Sequence, residues 1–181
     1  MSDIWIKQLA NQEHNKPKKP LIQRIQCRLK DISAQSILTQ LQNPNSGKLK
    51  FLNSLKDIYG QETYLKIQKL SNRRAITKLR TSNHNLAIES GRWTNTERKH
   101  RLCTQCTLSK IEDEMHFIFD CPKYSDIRKT TFTPINDNVG INLNNEYNRI
   151  NNQKTLFTSD NLSALNTFGK YVKKAFEMRT T

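Results

Sequence analysis

The chain has 181 residues, of which 35% are hydrophobic, and this is enough for one modest core or two small ones but not for a polymerase. Thirty Lys and Arg residues against 16 Asp and Glu give a net charge of +14, which makes nucleic acid the first partner to consider. The alternative is a basic surface that only solvates the protein. No apolar run approaches the roughly 18 residues that span a bilayer, so we expect no membrane partner and an intracellular location, in the nucleus or the cytoplasm.

The N-terminal part is predicted to be a flexible basic arm followed by helices. Residues 1–20 end in the stretch NKPKKP, whose prolines and charges disfavour regular structure, and residues 21–98 are predicted to form a helical basic region. Apolar residues recur at helical spacing from Leu21 to Leu41, before a turn at residues 43–47. A second helix is predicted from Leu49 to Gly60. Cys27, on the first helix, is predicted to be a buried small hydrophobic residue.

A third helix is predicted over residues 62–81. If it is continuous, Lys66, Lys69, Arg73 and Arg80 share one face, although the pair Ser71-Asn72 is a possible break. The alternative is that this face is only the solvated side of a helix. The predicted nucleic-acid contacts of the basic region are Lys66, Lys69, Arg73, Arg74, Lys78, Arg80, Arg92 and Trp93.

Some of these residues have an alternative interpretation, in which they contact other residues of the protein and not nucleic acid. Arg80, Glu89 and Arg92 are also compatible with an internal ion-pair network. Trp93 and Tyr64 both offer an aromatic face for stacking on unpaired bases, but for Tyr64 packing in the core is the favoured interpretation.

The sequence that carries chemistry lies in residues 99–128, called the knuckle here. Cys103, Cys106, His116 and Cys121 form the pattern C-x2-C-x9-H-x4-C, in which two cysteines two positions apart, and a His and Cys on a short helical turn, can converge on one point. Three thiolates and one imidazole complete a tetrahedral, closed zinc site, and a closed site is structural. The alternative is three free cysteines beside an unrelated histidine. His100 could replace His116, but its charged neighbours argue against it.

The surroundings of the predicted site indicate that metal binding and nucleic-acid binding use different residues. Met115, Phe117, Ile118 and Phe119 would form an apolar shell around the metal. Residues 61–102 carry a net charge of +7 and residues 103–128 one of −2, which becomes about −3 with zinc and three thiolates. The knuckle is therefore a poor phosphate clamp. Zinc is expected to fix its geometry while the preceding basic helix and loop contact the polyanion.

The last third of the chain is predicted to be a connection and one helix. Residues 129–158 have weak periodicity, many Asn, Pro134 and Gly140, which predicts a loop-rich connection. Residues 159–181 are predicted to form an amphipathic C-terminal helix capped by the sequence SDN at residues 159–161. The predicted fold class is therefore mainly α: a small helical domain with a Cys3His zinc knuckle, followed by a loop-rich connection and a C-terminal helix.

Two motifs resemble one family. The stretch LRTSNHNLAIESGR at residues 79–92, followed by CTQC at 103–106, EDEMHF at 112–117 and CPKY at 121–124, is similar to the C-terminal tail of LINE-type (non-LTR) retrotransposon reverse transcriptases. In that family a basic stretch LRxSxHxLxIExGR precedes a CCHC zinc knuckle. The similarity covers residues 49–128, and LFTS at 156–159 with the helix after it resembles the family's closing element. It implies Cys103, Cys106, His116 and Cys121 as ligands and a role in handling element RNA or target DNA.

The departures from that family define the expected function. The sequence contains no Asp-Asp pair, which a reverse transcriptase uses to bind metal, and no plausible endonuclease carboxylate set, so we expect no enzymatic activity. The expected function is a non-catalytic, zinc-stabilised module that binds RNA or DNA through phosphate contacts. The alternative is a protein-interaction scaffold in which the knuckle and last helix dock on a reverse transcriptase or a host protein. A decayed copy, a separately expressed tail and a host-recruited tail remain open.

Overall fold

The computed structural model describes residues 19–42, 50–55 and 61–180. The chain divides into two compact units, Met1–Gln40 and Leu41–Thr181. Residues 1–18 of the predicted arm 1–20, the turn at 43–47 and residues 56–60 of the second predicted helix lie outside the described residues. Residues 21–40 of the predicted helical basic region 21–98 fall in the first unit, and the rest of that region falls in the second.

The first unit contains all but the last two residues of helix α1, Lys19–Gln42. This helix was predicted from its apolar spacing and is confirmed. Its apolar positions Leu29 and Ile32 are exposed, and so is Cys27. The prediction of a buried Cys27 is therefore wrong, because helical periodicity shows which residues share a face but does not show that another element covers that face.

The second unit is built from helices and short helical turns. In chain order these are α2 (Lys50–Leu55), a 3-10 turn (Thr63–Lys66), α3 (Leu70–Arg80), α4 (Ala87–Trp93), a 3-10 turn (Arg98–His100), a π-helical turn (His116–Asp120), a 3-10 turn (Pro122–Tyr124), α5 (Ser125–Val139), α6 (Arg149–Thr158) and α7 (Leu162–Thr180). The predicted mainly α class is confirmed. Over the described ranges the only extended pairing is an isolated antiparallel bridge between Leu102 and Ile111.

Helix α7 lies at the centre of this unit and packs on α3 and α5. Its start is capped as the sequence predicts, since the Ala164 N–H donates to Asn161 Oδ1 at 3.0 Å. Its apolar face is buried in the core, including Leu165, Phe168 and Val172. The predicted C-terminal helix is confirmed.

Helices α3 and α7 meet at a close crossing that depends on a glycine. A Cβ atom at Gly169 would lie 2.9 Å from the Asn72 carbonyl oxygen, which is too close for any other residue without a backbone shift. Beside it, buried Asn72 donates from Nδ2 to Asn166 Oδ1 at 2.8 Å. This close crossing fixes the distance between α3 and α7 in the segments that follow Asn72 and Gly169.

The third predicted helix is interrupted. Residues 63–66 form a 3-10 turn, the backbone at buried Ile67 is not helical, and α3 begins only at Leu70. Lys66, Lys69, Arg73 and Arg80 therefore do not share one continuous helical face. The break lies before Ser71 and Asn72, both of which are inside α3. Because the interrupted backbone buries Ile67, it is favoured over the continuous helix that the local periodicity predicts.

The prediction of a loop-rich connection over residues 129–158 is wrong. Helix α5 extends to Val139 with Pro134 inside it, and α6 covers residues 149–158. Each helix needs only a few apolar residues for the core, Phe132 and Ile135 from α5 and Leu156 and Phe157 from α6. Tertiary burial outweighs the low helix propensity of the Asn and Pro residues. Gly140, with φ of 69°, ends α5 in the left-handed conformation.

None of the described helices is both long enough and apolar enough to cross a bilayer.

Candidate metal centre

The structure brings the four predicted ligands together. The Sγ atoms of Cys103, Cys106 and Cys121 and a ring nitrogen of His116 all lie within 4.8 Å of one another. Cys103 Sγ is 4.0 Å from Cys121 Sγ, and Cys106 Sγ is 3.4 Å from His116 Nε2. Tetrahedral bonds of about 2.3 Å to sulfur and about 2.0 Å to nitrogen place such atoms roughly 3.5 to 3.8 Å apart. The four side chains can therefore hold one metal ion.

The first pair of ligands lies on a hairpin-like loop. The Cys103 N–H donates to the Lys110 carbonyl at 2.8 Å, and the Glu112 N–H donates to the Arg101 carbonyl at 2.9 Å. The backbone N–H of Gln105 donates to the Cys103 sulfur, which favours the thiolate form. The loop thus turns Cys103 and Cys106 toward the same point.

The second pair lies on the π-helical turn. Asp113 Oδ1 accepts the His116 N–H at 2.9 Å, and the Cys121 N–H donates to the His116 carbonyl at 2.8 Å. That second bond joins residues five apart, which is the π-helical pattern, and it places both side chains on the same side of the turn. The H-x4-C spacing predicted from the sequence is explained by this widened turn.

Side chains from other helices satisfy the carbonyls of the π-helical turn. Tyr171 on α7 donates its hydroxyl to the Ile118 carbonyl at 2.8 Å. Arg128 on α5 donates to the Ile118 and Cys121 carbonyls, both at 2.9 Å. The second pair of ligands is therefore held from α5 and α7 as well as by the local backbone.

The predicted apolar shell is part of the main core. Phe117, Ile118 and Phe119 are buried, and Met115 is half-buried. The Phe117 ring stacks on Phe176 of α7, with ring centroids 4.6 Å apart. The knuckle is thus packed into the helical unit and is not an appendage to it.

Burial controls protonation of the ligands. It raises the pKa of the Cys103 thiol to about 12, raises the pKa of the Cys121 thiol, and lowers the pKa of His116. His116 is thus neutral at pH 7 and can offer a ring nitrogen to a metal. A bound cation would favour the thiolates that burial alone disfavours, so metal binding must release protons.

Two residues beside the cluster were missed by the sequence analysis. Glu112 is 1% exposed, and its Oε1 lies 3.9 Å from Cys103 Sγ. Arg179, in the last turn of α7, donates to both carboxylate oxygens of Glu112 at 2.9 and 2.8 Å, and this bonding raises the Arg179 pKa. The second oxygen also accepts the Ala87 N–H at 2.7 Å. The pair is 67 residues apart in the chain, so no local pattern could indicate it.

Other acidic residues of the knuckle are also bonded internally. Glu114 Oε1 accepts from Ser82 Oγ at 2.9 Å and lies 3.2 Å from His84 Nε2, and Asp120 pairs with Arg149. Burial opposes ionisation of Glu114, but its bonds to His84 and Ser82 lower its pKa on balance. Three of the five acidic residues of the knuckle, Glu112, Glu114 and Asp120, are therefore bonded to side chains inside the protein.

Comparisons of the chain with models of known protein families, with curated proteins and with solved structures gave no match. The resemblance to LINE-type tails accordingly rests on the sequence motifs alone.

The predicted nucleic-acid contacts are placed in different environments. Lys66, Lys69, Arg74, Lys78 and Arg92 are exposed, and Trp93 is 84% exposed. Arg92 lies 3.6 Å from Glu89. Arg73 is half-buried and donates to the Leu65 carbonyl at 3.0 Å, so it helps to hold the 3-10 turn before α3.

The structure corrects the assignment of Arg80 as a phosphate contact. Its side chain is 2% exposed and donates to Glu62 Oε1 at 2.9 Å. Its guanidinium group lies over the rings of Tyr64 and Phe157, 5.1 and 4.8 Å from their centroids. Burial lowers the Arg80 pKa, and Glu62 opposes that shift. Arg80 is a core residue, and Tyr64 beside it is buried as the favoured interpretation had it.

The structure also distinguishes between the alternatives that the sequence left for ion pairing and for metal ligation. Arg80 and Arg92 do not share Glu89, because Arg80 pairs with Glu62 and Arg92 lies near Glu89. His100 is exposed, contacts Glu97, and is not part of the cluster. His84 is bonded to Glu114 instead of facing the cluster.

Proposed function

We propose that this protein is a non-catalytic, zinc-stabilised module that binds RNA or DNA. The observation that carries the proposal is the contrast between its charges. The acidic side chains around the knuckle have partners inside the protein, whereas exposed cations of the basic region face solvent. Exposed cations such as Lys66, Lys69, Arg74 and Lys78 are therefore available to attract phosphates.

Zinc is the metal that the donor set suits. Three sulfurs and one imidazole nitrogen in a tetrahedral arrangement are typical of structural zinc sites. Four protein ligands leave no position for a substrate or a reactive water, so the site has a structural role in this proposal. When bound, zinc would supply a cross-link between the hairpin-like loop and the π-helical turn.

The basic region supplies the proposed phosphate contacts. Lys66, Lys69, Arg74 and Lys78 are exposed on or just before α3. Among the described residues, neither Arg74 nor Lys78 is paired with an acidic side chain. Cations without an internal partner lose little by exchanging water for phosphate oxygens, and they release counterions from the nucleic acid.

We further propose descent from a retrotransposon reverse-transcriptase tail. The support is that the two motifs of the resemblance touch each other in space. Ser82 and His84, from the first motif, both contact Glu114 of the second, and the Ala87 N–H donates to Glu112. The two stretches thus act as one structural unit, which explains why a family would carry them together.

The test measures zinc and salt dependence on the same preparation. We expect one zinc per chain by elemental analysis, and binding of fluorescent oligonucleotides that weakens steeply as salt rises. A zinc content of none or two would overturn the metal assignment. Binding of a protein partner that persists at high salt, without binding of any oligonucleotide, would favour the scaffold function.

A further inference from the structure

A groove runs between α3 and α7 beyond their crossing at Gly169. It has a volume of about 600 Å³. Arg74 and Lys78 line it from α3, Lys173 and Phe176 from α7, and residues 83–85 from the loop that follows α3. We call this the α3/α7 groove. Its volume is within the range of small-molecule sites, about 300 to 1,000 Å³, and therefore suits one or two nucleotides.

The rim of the α3/α7 groove is cationic. Arg74, Lys78 and Lys173 all line it, and the acidic residue among the lining side chains is Glu177. Glu177 lies 2.8 Å from Lys173 as an exposed pair four residues apart on one helix, and such pairs are weak. The rim thus favours an anion with more than one negative charge, such as consecutive phosphates.

The interior of the α3/α7 groove is aromatic and apolar. Phe176 and His84 both line it, and their rings are in contact, with centroids 6.0 Å apart and planes inclined by 31°. Phe117 stacks on one face of the Phe176 ring and the His84 side chain is 1% exposed, so the surface that the groove offers to a base is the uncovered part of half-buried Phe176. Asn83 and Asn85 are exposed in the loop that lines the groove and carry amides that can donate and accept hydrogen bonds.

We propose that the α3/α7 groove binds single-stranded nucleic acid by taking an unpaired base against Phe176 and holding the flanking phosphates with Arg74, Lys78 and Lys173. This inference rests on the proposed function and adds the strandedness of the ligand and the place where it binds. Cations beside an aromatic floor are the arrangement that binds single strands, because every base has a face that can stack. In a duplex the bases are already stacked on each other, so the floor would remain unused.

The first experiment separates the contribution of bases from that of phosphates. Fluorescence anisotropy compares oligomers of eight uridines or eight thymidines with an abasic oligomer of the same length and charge. We expect base-containing strands to bind about fivefold more tightly or better, which is the lower range for stacking of one base. The uridine and thymidine arms distinguish RNA from DNA as the source of the strand.

The second experiment fills the groove without changing the charge. Ser71→Leu fills it from α3 and Asn85→Leu from the loop, while Ser163→Leu, at an exposed position of α7 away from the lining residues, is the matched control. Each variant is first checked for zinc content and thermal unfolding. We expect both filling variants to bind the base-containing strand no better than the abasic one, and Ser163→Leu to retain the preference.

The outcomes distinguish failure of the groove from failure of the function. Equal binding of base-containing and abasic strands, with steep salt dependence retained, would overturn the groove and leave the proposed function standing. A base preference that survives both Ser71→Leu and Asn85→Leu would also place the stacking site elsewhere. Binding of an acidic peptide but of no oligonucleotide would overturn both proposals.

Discussion

The knuckle and the α3/α7 groove both concentrate charged side chains, but they use them in opposite ways. In the knuckle, Glu112, Glu114 and Asp120 are bonded to Arg179, Ser82 and Arg149. In the groove, Arg74 and Lys78 have no acidic partner among the described residues. The sign of a segment's net charge therefore does not indicate whether its charged side chains stabilise the fold or bind a partner. What indicates this is whether each charged side chain has an oppositely charged or hydrogen-bonding partner inside the protein.

Removing a metal ligand should have the largest effect, because it should abolish metal binding by the knuckle. Cys106→Ser should lose the metal and destabilise the whole Leu41–Thr181 unit, because Phe117 and Tyr171 join the knuckle to α7. Structural zinc contributes about 10 to 16 kcal/mol of apparent binding free energy, which is as large as the total stability of most domains. Circular dichroism should show loss of helix well beyond residues 99–128. Cys27→Ser is the control, and the comparison fails if it and Cys106→Ser unfold at the same temperature.

Arg80 tests whether a cation of the basic region can belong to the core. Arg80→Gln removes the ion pair with Glu62 and should cost about 2 to 3 kcal/mol in urea denaturation, somewhat below the value for fully buried pairs because Glu62 is partly exposed. Lys78→Gln, on the same helix but exposed, should change stability by less than about 0.5 kcal/mol. If Arg80→Gln were as stable as Lys78→Gln but bound nucleic acid more weakly, Arg80 would have to be reassigned to the surface.

Arg179 tests the support that α7 gives to the metal centre. Arg179→Gln removes the partner of Glu112 and leaves a negative charge 3.9 Å from the Cys103 sulfur. Partners of this kind typically alter metal affinity by about 10- to 100-fold, and we expect the affinity to fall within that range. Competition with a chromogenic chelator measures it. Lys174→Gln, an exposed change of equal charge on α7, should leave the affinity unchanged; a similar loss there would point to a general effect of charge.

The smallest expected effect concerns the groove cations. The double change Arg74→Gln with Lys78→Gln should leave stability nearly intact and reduce the slope of log affinity against log salt by roughly 0.7 per lost contact on single strands. The pair Lys129→Gln with Lys174→Gln removes the same charge at exposed positions outside the groove. Equal slopes for the two double variants would show that binding depends on total charge alone.

The sequence predicted what is encoded over short distances. The C-x2-C and H-x4-C spacings indicated the four ligands, and the SDN cap and apolar spacing indicated α7. The Glu112–Arg179 pair joins residues 67 apart and left no local pattern. Arg80 was misassigned because arginine is rarely buried, and only the fold shows that Glu62, Tyr64 and Phe157 surround it. Helices α5 and α6 were missed because their Asn and Pro residues suggested loops, while burial of a few side chains determined the outcome.

The contact of Arg179 with Glu112 also has a consequence for biosynthesis. Arg179 follows Glu112 by 67 residues, which at roughly 5 to 20 residues per second are synthesised in about 3 to 13 seconds. During that interval the cysteine loop has been made but the helix that covers it has not. The thiols can thus capture a metal ion while they are still open to solvent.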